Sequence, residues 1–258
     1  MKSHSPGRTT FSSRPPYLTP LPGVEIHEIL NGNTRYLDEF VGVFEAAFPF
    51  YCFSISRMKE YAWGPAHLYP KFKMHQWLMR VNDQPAGMTV FMYNCYRNLG
   101  FGLYLALLPQ FRKYPIGQYP SLAPLIIELT RTQIKKDALE AGNTPPNGYV
   151  AEVIQPELVN FYKRNGFVVF PLDYYVAYLD GPRHGPLPTE ILDQLEFHVD
   201  YLGVFAEPGS SLDFINPEYL KNVILSLTDD FYGISEEHWT VQKTLEMIQN
   251  VVPSSAIE

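Results

Sequence analysis

The first 180 residues alternate between the period of a β-strand and that of an α-helix. Apolar and polar residues alternate over 24–29, which predicts a short strand. Apolar residues then recur at helical spacing over 37–48, which predicts an amphipathic helix. The β-rich stretches 76–81 and 86–93 flank the turn-forming sequence Asn-Asp-Gln-Pro, so we expect these two stretches to form a hairpin.

A continuous apolar stretch and a long helical pattern follow the hairpin. Residues 103–108 end at Pro109 and predict a strand buried on both faces at the centre of a sheet. The helical pattern over 121–141 ends at Gly142 and predicts a long helix. Residues 148–154 are predicted as a strand and residues 157–165 as a short helix. Residues 167–170 and 174–179 are predicted to pair as a closing hairpin. Their order predicts an α/β (α+β) fold with a mixed central sheet flanked by helices.

The two ends of the chain differ in composition from this central region. Residues 1–22 are rich in Pro, Ser, Thr and Arg, which predicts a flexible segment because they cannot bury enough apolar surface to fold. Residues 181–188 are rich in Gly and Pro and mark a predicted boundary, which ends a domain over 23–180. Residues 181–258 hold two amphipathic helical patterns and few strand signals. We expect them to be a helical extension packed on the core, since they are too few to build a core of their own.

Composition and charge exclude several classes of protein. The chain of 258 residues is 46% hydrophobic and 18% charged, so it folds rather than staying disordered. Its net charge of −7 argues against a nucleic-acid-binding protein, whose binding surface would be basic. No apolar stretch approaches the length that spans a bilayer and the start of the chain is polar, so we expect a cytoplasmic protein without a membrane span. Because the cysteines and histidines lack the spacing of metal ligands, no metal is expected.

The most informative segment runs from Leu105 to Gly117, where a strand leads into a basic turn ahead of a helix. Backbone N–H groups in such a turn can bind phosphate. The segment resembles the acyl-CoA-binding motif of the GNAT N-acyltransferase superfamily, L-x-V-x-P-x-x-R-x-x-G-x-G/A. The positions in register are Leu105, Leu107, Pro109, Arg112 and Gly117. Pro115 stands where the motif has a glycine, and because proline has no N–H, one donor to the pyrophosphate is absent.

The resemblance implies a binding site for acyl-CoA as the co-substrate. It implies that strand residues orient the pantetheine arm and the thioester, and that the turn holds the phosphates. The strand residues are Ala106, Leu107 and Leu108, and the turn residues are Arg112, Lys113, Tyr114, Ile116 and Gly117. Gln155 stands near the position of an asparagine that contacts the pantetheine arm in the family.

Two residues are candidates for proton transfer. The sequence at 161–167 resembles the Y-x-x-x-G-F element of the same superfamily, whose tyrosine, here Tyr162, often protonates the departing CoA thiolate. Glu152 matches the position of the general base in the branch that acetylates protein N-termini, and without a partner its pKa would be raised. The alternatives are a packed aromatic residue at 162 and a solvated or ion-paired strand residue at 152. His75, at the start of a predicted strand, is another candidate base.

These residues predict an N-acyltransferase that moves an acyl group from acyl-CoA, or from an acyl carrier protein, to a primary amine of a small molecule, amino acid or peptide. The alternative is a non-catalytic module that binds acyl-CoA or a peptide through a degenerate cofactor loop. The C-terminal extension is expected either to wall the acceptor side or only to improve solubility. In the first case its acidic residues would attract a cationic amine; they are Asp229, Asp230, Glu236 and Glu237.

Overall fold

The structure is a computed structural model that describes residues 21–51, 53–64, 71–143, 145–172, 174–175, 198–199, 201–206 and 216–250. Residues 1–20 of the predicted flexible segment and the predicted boundary at 181–188 lie outside the described residues. In the part of the chain that is described, no helix has the length and apolar character needed to cross a membrane.

Seven strands among the described residues form one mixed sheet. They are β1 (Val24–Glu28), β2 (Phe72–Val81), β3 (Gln84–Asn94), β4 (Leu99–Leu107), β5 (Gly148–Val153), β6 (Val168–Phe170) and, after the short pair β7 (Tyr174–Tyr175) and β8 (His198–Val199), β9 (Tyr201–Ala206). Their spatial order is β1-β2-β3-β4-β5-β9-β6, with β4 in the middle. The predicted α/β (α+β) fold class, with a mixed central sheet flanked by helices, is confirmed.

Helices pack against both faces of the sheet. Those of the described residues are α1 (Leu37–Ala47), α2 (Phe53–Trp63), α3 (Leu122–Glu140), α4 (Val159–Arg164), α5 (Pro217–Leu225) and α6 (Trp239–Asn250). Helices α1, α2, α5 and α6 cover one apolar layer, which we call the first core. Helices α3 and α4 cover the layer on the opposite face, which we call the second core.

The predicted hairpin and the central position of β4 are confirmed. The turn between β2 and β3 places Asn82 and Asp83 at φ of 48° and 63°, in the left-handed region that Asn and Asp tolerate in hairpin turns. Strand β4 lies at the centre, but the prediction that it is buried on both faces is wrong. Residues 103–105 are half-buried, because β4 separates there from its neighbour β5.

The predicted closing hairpin is wrong, because its first strand, β6, does not pair with residues 174–175. Strand β6 pairs with β9, which lies between β5 and β6 and is antiparallel to both, whereas Tyr174–Tyr175 pairs with His198–Val199. With a strand on either side, β9 is an interior strand, and the side chains of Leu202 and Val204 are fully buried. The C-terminal extension therefore contributes a strand to the central sheet, and the boundary near residue 181 stays a prediction.

Candidate functional site

Strands β4 and β5 run parallel but separate before either strand ends. Their pairing runs from Leu99 opposite Gly148 to Gly102 opposite Ala151. Beyond that pair, β4 continues to Leu107 and β5 continues to Val153. We call the gap between them the wedge. It interrupts the sheet near its centre, so that both faces of the sheet have access to the same opening.

A tyrosine packs across the sheet at the apex of the wedge. A Cβ on Gly102 would lie 2.2 Å from the hydroxyl oxygen of Tyr149, so only glycine leaves room for this phenol. Burial raises the pKa of Tyr149 far above its ordinary value, and the neighbouring Tyr162 adds to the increase. The two phenols therefore lie near each other on the second-core face.

The edge of β4 presents main-chain donors to the wedge. The N–H of Leu108 donates to the carbonyl oxygen of Ala86 on the β3 side, at 2.9 Å. In an antiparallel ladder the N–H groups of successive residues point to opposite sides. The N–H groups of Leu107 and Leu105 therefore point away from β3 and into the wedge. Of the three predicted strand residues, Leu107 faces the wedge, whereas Ala106 and Leu108 use their main chain to pair with β3.

A cavity of about 560 Å³ opens on the second-core face, and both motif segments line it. Leu105, Leu107, Arg112 and Lys113 line it from the first motif. Phe161, Tyr162 and Arg164 line it from the second. Two segments that are far apart in sequence but resemble parts of one family motif set therefore meet around a single volume.

The turn from Arg112 to Gly117 is shaped differently from the expectation. Ile116 is buried, and its N–H donates to the carbonyl of Tyr119 while the N–H of Tyr119 donates back, which closes a tight turn with Gly117 at φ 55°. The hydroxyl of Tyr114 accepts a long hydrogen bond from Asn82 on the β2–β3 turn. Tyr114, Ile116 and Gly117 lie outside the lining of the cavity.

The first turn of α3 takes the place of that loop at the cavity wall. Helix α3 begins at Leu122, and Ser121, Ala123 and Pro124 line the cavity. Ser121 is the N-cap in an extended conformation, and within the described residues its side chain makes no capping hydrogen bond. The N-terminal N–H groups of a helix favour an anion.

Three cationic side chains line the same cavity as this helix terminus: Arg112, Lys113 and Arg164. The Nε of Arg112 donates to the carbonyl of Leu107 at 3.2 Å, and the Nε of Arg164 donates to the carbonyl of Asn160 at 3.1 Å. Both guanidinium groups are thereby tethered to main chain near the cavity. The combination of cations with a helix N-terminus makes this volume suited to an anionic ligand.

Tyr162 lies where the cavity meets the wedge. Its ring packs edge-to-face against Phe161 and Phe167, at centroid distances of 5.3 and 5.2 Å. Burial raises the pKa of Tyr162 to about 12. The phenol is therefore protonated at neutral pH and is able to donate a proton.

Glu152 is the first residue of β5 beyond its last pair with β4, so it stands at the wedge. The hydroxyl of Tyr232 lies 2.9 and 3.1 Å from its two carboxylate oxygens and donates to this carboxylate. Glu152 therefore has a partner, and the condition on which a raised pKa was expected, a carboxylate without one, is not met. Burial and the charge of Glu152 raise the pKa of Tyr232 well above its ordinary value, so Tyr232 is the donor of the pair.

The two predicted proton-transfer residues lie on opposite faces of the sheet. Side chains alternate along a strand, so Glu152 points to the same face as Val150, which belongs to the first core. Tyr162 packs on the second core. The wedge connects the two faces, and a group that reaches through it from the cavity approaches Glu152.

Aromatic side chains surround Tyr104 on the first-core face of β4. The ring centroids of Phe44, Phe48 and Tyr51 lie 5.0, 5.4 and 6.3 Å from that of Tyr104. The hydroxyls of Tyr104 and Ser54 are hydrogen-bonded at 2.9 Å. The sequence analysis missed this cluster, although alternation along β4 already places Tyr104 on the face opposite Leu105.

His75 is a structural residue rather than a candidate base. Burial alone would lower the pKa of His75, but hydrogen bonds to Asp137 at 3.0 Å and Glu28 at 2.5 Å outweigh burial and raise the pKa to about 9. The imidazole is therefore a cation at neutral pH and has no free lone pair with which to accept a proton. Its contacts join β1, β2 and α3, away from the wedge.

The predicted acidic patch of the C-terminal extension is largely paired within the chain. Asp230 is buried, with its carboxylate 2.5 Å from Nε of Arg97, and Glu236 lies 2.9 Å from the ammonium of Lys221. Asp229 lies 3.7 Å from the guanidinium of Arg97. The carboxylate of Asp230 is therefore paired with Arg97 in a buried position, and the attraction of a cationic amine by this patch stays a prediction.

Gln155 does not line the cavity. It precedes the short 3₁₀ turn Pro156–Leu158, is exposed, and its carbonyl accepts from the N–H of Leu158 at 2.9 Å. No group of three or more His, Cys, Asp or Glu side chains within the described residues is arranged to hold a metal ion. Tyr232 was missed by the sequence analysis, since no motif marks it.

Comparison with known proteins gives structural matches only. No protein-family profile matches the chain, and no curated protein matches it. The chain is similar to a structure from Bacillus anthracis with acetyl coenzyme A bound, at 13% identity and a TM-score of 0.36, over 52% of this chain and 62% of that one. It is similar to a tandem GNAT protein from the clavulanic acid biosynthesis pathway, at 11% identity and a TM-score of 0.44, over 60% of this chain and 48% of that one.

A third similar structure is ribosomal-protein-S18-alanine N-acetyltransferase from Escherichia coli, at 13% identity and a TM-score of 0.43, over 74% of this chain and 99% of that one. The chain spans less than two thirds of the length of the first two structures.

Proposed function

We propose that the protein is an N-acyltransferase that transfers an acyl group from a CoA thioester to a primary amine. The observation that carries the proposal is the wedge between β4 and β5. A cationic cavity and Tyr162 lie at one face of this opening, and a hydrogen-bonded carboxylate, Glu152, lies at the other. A thioester donor and an amine acceptor could therefore meet from opposite sides without competing for the same space.

The donor side fits a long anionic molecule. The phosphates of CoA would bind near the first turn of α3 and the side chains of Arg112, Lys113 and Arg164. The pantetheine arm would run along the open edge of β4, where the N–H groups of Leu105 and Leu107 point into the wedge. In this proposal the phosphate donors come from α3 and not from the N–H groups of Ile116 and Gly117.

The proton transfers follow from the two faces. The amine nitrogen attacks the thioester carbonyl carbon, a C–N bond forms, and the C–S bond breaks. Glu152 accepts a proton from the amine, directly or through a water molecule, and Tyr162 gives its proton to the departing sulfur. In this role Tyr162 is a protonated phenol, because burial raises its pKa to about 12.

Calorimetry with acetyl-CoA, and with octanoyl- and palmitoyl-CoA to test the acyl length, tests the donor side. Arg112→Ala is expected to weaken CoA binding by about 1 to 3 kcal/mol, the scale of a hydrogen bond to a charged group. Arg57→Ala is a matched control. Arg57 lies on α2, which covers the first-core face of the sheet and not the face with the cavity, and it pairs with Glu60. Equal CoA affinity in the wild type and in a folded Arg112→Ala variant would refute the proposed CoA site around Arg112.

A turnover assay separates the proposed enzyme from a binding module. The wild type is expected to release CoA from acetyl-CoA when a primary amine is supplied as lysine, spermidine or a short peptide. Binding of acetyl-CoA without turnover of any amine would favour the non-catalytic module. Turnover with an acyl carrier protein thioester but not with acyl-CoA would instead change the identity of the donor.

A further inference from the structure

The partner of Glu152 comes from the C-terminal part of the chain. Tyr232 follows a π-helix, Ser226–Phe231, and its N–H donates to the carbonyl of Leu227 at 2.9 Å. Glu152 and Tyr232 are 80 positions apart in sequence. Single-turn π-helices occur frequently at functional sites, where the wider turn re-aims a side chain.

A buried ion network fixes this π-helix to the sheet. The carboxylate of Asp230 lies 2.5 Å from Nε of Arg97, and it accepts a hydrogen bond from Nδ2 of Asn94 at 2.9 Å. Asn94 ends β3, and it also donates to the hydroxyl of Ser226 at 2.7 Å. Both ends of the π-helix are thereby attached to the sheet, so the hydroxyl of Tyr232 is held in place by buried contacts.

We propose that Tyr232 is the positioning residue of Glu152: its hydroxyl contacts both carboxylate oxygens and orients them at the wedge, which makes the C-terminal segment a working part of the acceptor side. The inference rests on the proposed function, since it assigns Glu152 as the base. It goes beyond that function because it makes the base dependent on a residue that neither motif contains.

The electrostatic effect of Tyr232 has a definite sign. A hydrogen bond to the charged form of a carboxylate favours that form, so removal of the Tyr232 hydroxyl is expected to favour the protonated form of Glu152. Among the described residues, the phenols of Tyr104 on β4 and Tyr51 before α2 also add to the raised pKa of Tyr232.

Tyr232→Phe removes one oxygen atom and keeps the ring. With ¹³C-labelled glutamate, the titration midpoint of Glu152 is expected to rise by about one pH unit in this variant, the effect of losing one hydrogen bond to the charged form. Glu152→Gln assigns the signal. Tyr119→Phe is the matched control for this measurement, because Tyr119 donates to the exposed Glu128 at 2.8 Å and its loss should leave the midpoint of Glu152 unchanged.

A second variant guards against a Tyr232→Phe protein that fails to fold. Incorporation of 3-fluorotyrosine at position 232 keeps the hydroxyl and makes it a stronger donor, so the midpoint of Glu152 should move to lower pH. A midpoint that moves in neither variant would overturn the inference.

The pH profile of kcat/KM, measured with acetyl-CoA and lysine, spermidine or a short peptide, gives the functional readout. Its acidic limb, on which the base loses its proton, is expected to move up by about one pH unit in Tyr232→Phe. A purely structural role would lower activity at every pH without moving that limb. If the wild type turns over an amine but the acidic limb does not move in Tyr232→Phe, the role of Tyr232 is refuted and the proposed function stands. If the wild type turns over none of the amines, both the proposed function and the role of Tyr232 are refuted.

Discussion

The donor side and the acceptor side of the wedge are built in different ways. The donor side is assembled from two short segments, 105–124 and 158–165, and each contains a motif that can be read from the sequence. The acceptor side joins side chains that no motif connects: Ser54, Tyr104, Glu152 and Tyr232. The donor side therefore depends on local backbone geometry, whereas the acceptor side depends on the tertiary packing of distant segments.

The two sides also differ in charge. Arg112, Lys113 and Arg164 line the donor side together with a helix N-terminus, which suits phosphate groups. The acceptor side carries a carboxylate, Glu152, that accepts a hydrogen bond from the phenol of Tyr232. Substitutions on the donor side should therefore act mainly on thioester affinity, and substitutions on the acceptor side mainly on turnover.

The largest expected effect is that of Glu152→Gln. Loss of the general base should lower kcat/KM by about 10²- to 10⁴-fold and remove the acidic limb of its pH profile, with acetyl-CoA affinity retained. Glu157→Gln, a change at an exposed carboxylate of the next turn, is the control. If Glu152→Gln instead weakened acetyl-CoA binding and left kcat intact, the assignment of the two sides would be reversed.

Tyr162→Phe tests the residue where the two sides meet. The variant should lower kcat by about 10- to 1000-fold and change thioester affinity little, because a general acid acts in the transition state. Tyr93→Phe, which removes a phenol that bonds Asn98 away from the wedge, should leave kcat unchanged. Full turnover in a folded Tyr162→Phe enzyme would show that the phenol is only a packed aromatic residue.

His75 lies on neither the donor side nor the acceptor side of the wedge. A substitution there is therefore expected to change stability without acting on either side of the site. Its pKa is about 9 in the folded chain against 6.5 for an ordinary histidine, so its contribution to stability is complete below pH 6.5 and is lost as the pH rises through 9. The free energy of unfolding should fall by about 3 kcal/mol over that window, and the fall should be absent in His75→Gln. Chemical denaturation at several pH values measures it, and identical pH dependence in both proteins would refute the charged His75.

Pro115→Gly should have the smallest effect, and it tests where the phosphates of CoA bind on the donor side. If phosphates bind at the first turn of α3, the N–H restored at residue 115 lies outside the cavity lining, and CoA affinity should change by less than about 0.5 kcal/mol. Amide chemical shifts on CoA addition should move at Leu122 and Ala123 more than at Ile116. A clear gain in affinity for Pro115→Gly would return the phosphate site to the motif loop.

The sequence predicts best what depends on local pattern. The helix near 121–141, the hairpin of β2 and β3 and the central β4 follow from periodicity, turn chemistry and an apolar run, and the structure contains all three. The two motifs point to the segments around Arg112 and Tyr162, and both segments line one cavity. Local signals suffice there because the same short stretch of backbone forms both the element and the site.

The sequence fails where a distant segment decides the outcome. The partner of β6 is β9, and nothing within 167–179 reveals that Leu202 and Val204 will occupy that place in the sheet. Tyr232 follows a π-helix that has no sequence signature, and its contact with Glu152 depends on the pairing of Asp230 with Arg97. Even within the motif loop, the closed turn from Ile116 to Tyr119 uses the N–H of Ile116, one of the groups that the motif assigns to phosphate.

A crystal structure of the complex with acetyl-CoA tests the central claim most directly. The account predicts a thioester inside the wedge, beside the N–H groups of Leu105 and Leu107, with the Tyr162 hydroxyl at hydrogen-bond distance from sulfur, about 2.6 to 3.2 Å. It also predicts phosphates near the first turn of α3 and an acyl carbonyl that can be approached from the side of Glu152 and Tyr232. Acetyl-CoA bound with its thioester outside the wedge, or with Glu152 and Tyr162 on the same side of it, would contradict the account.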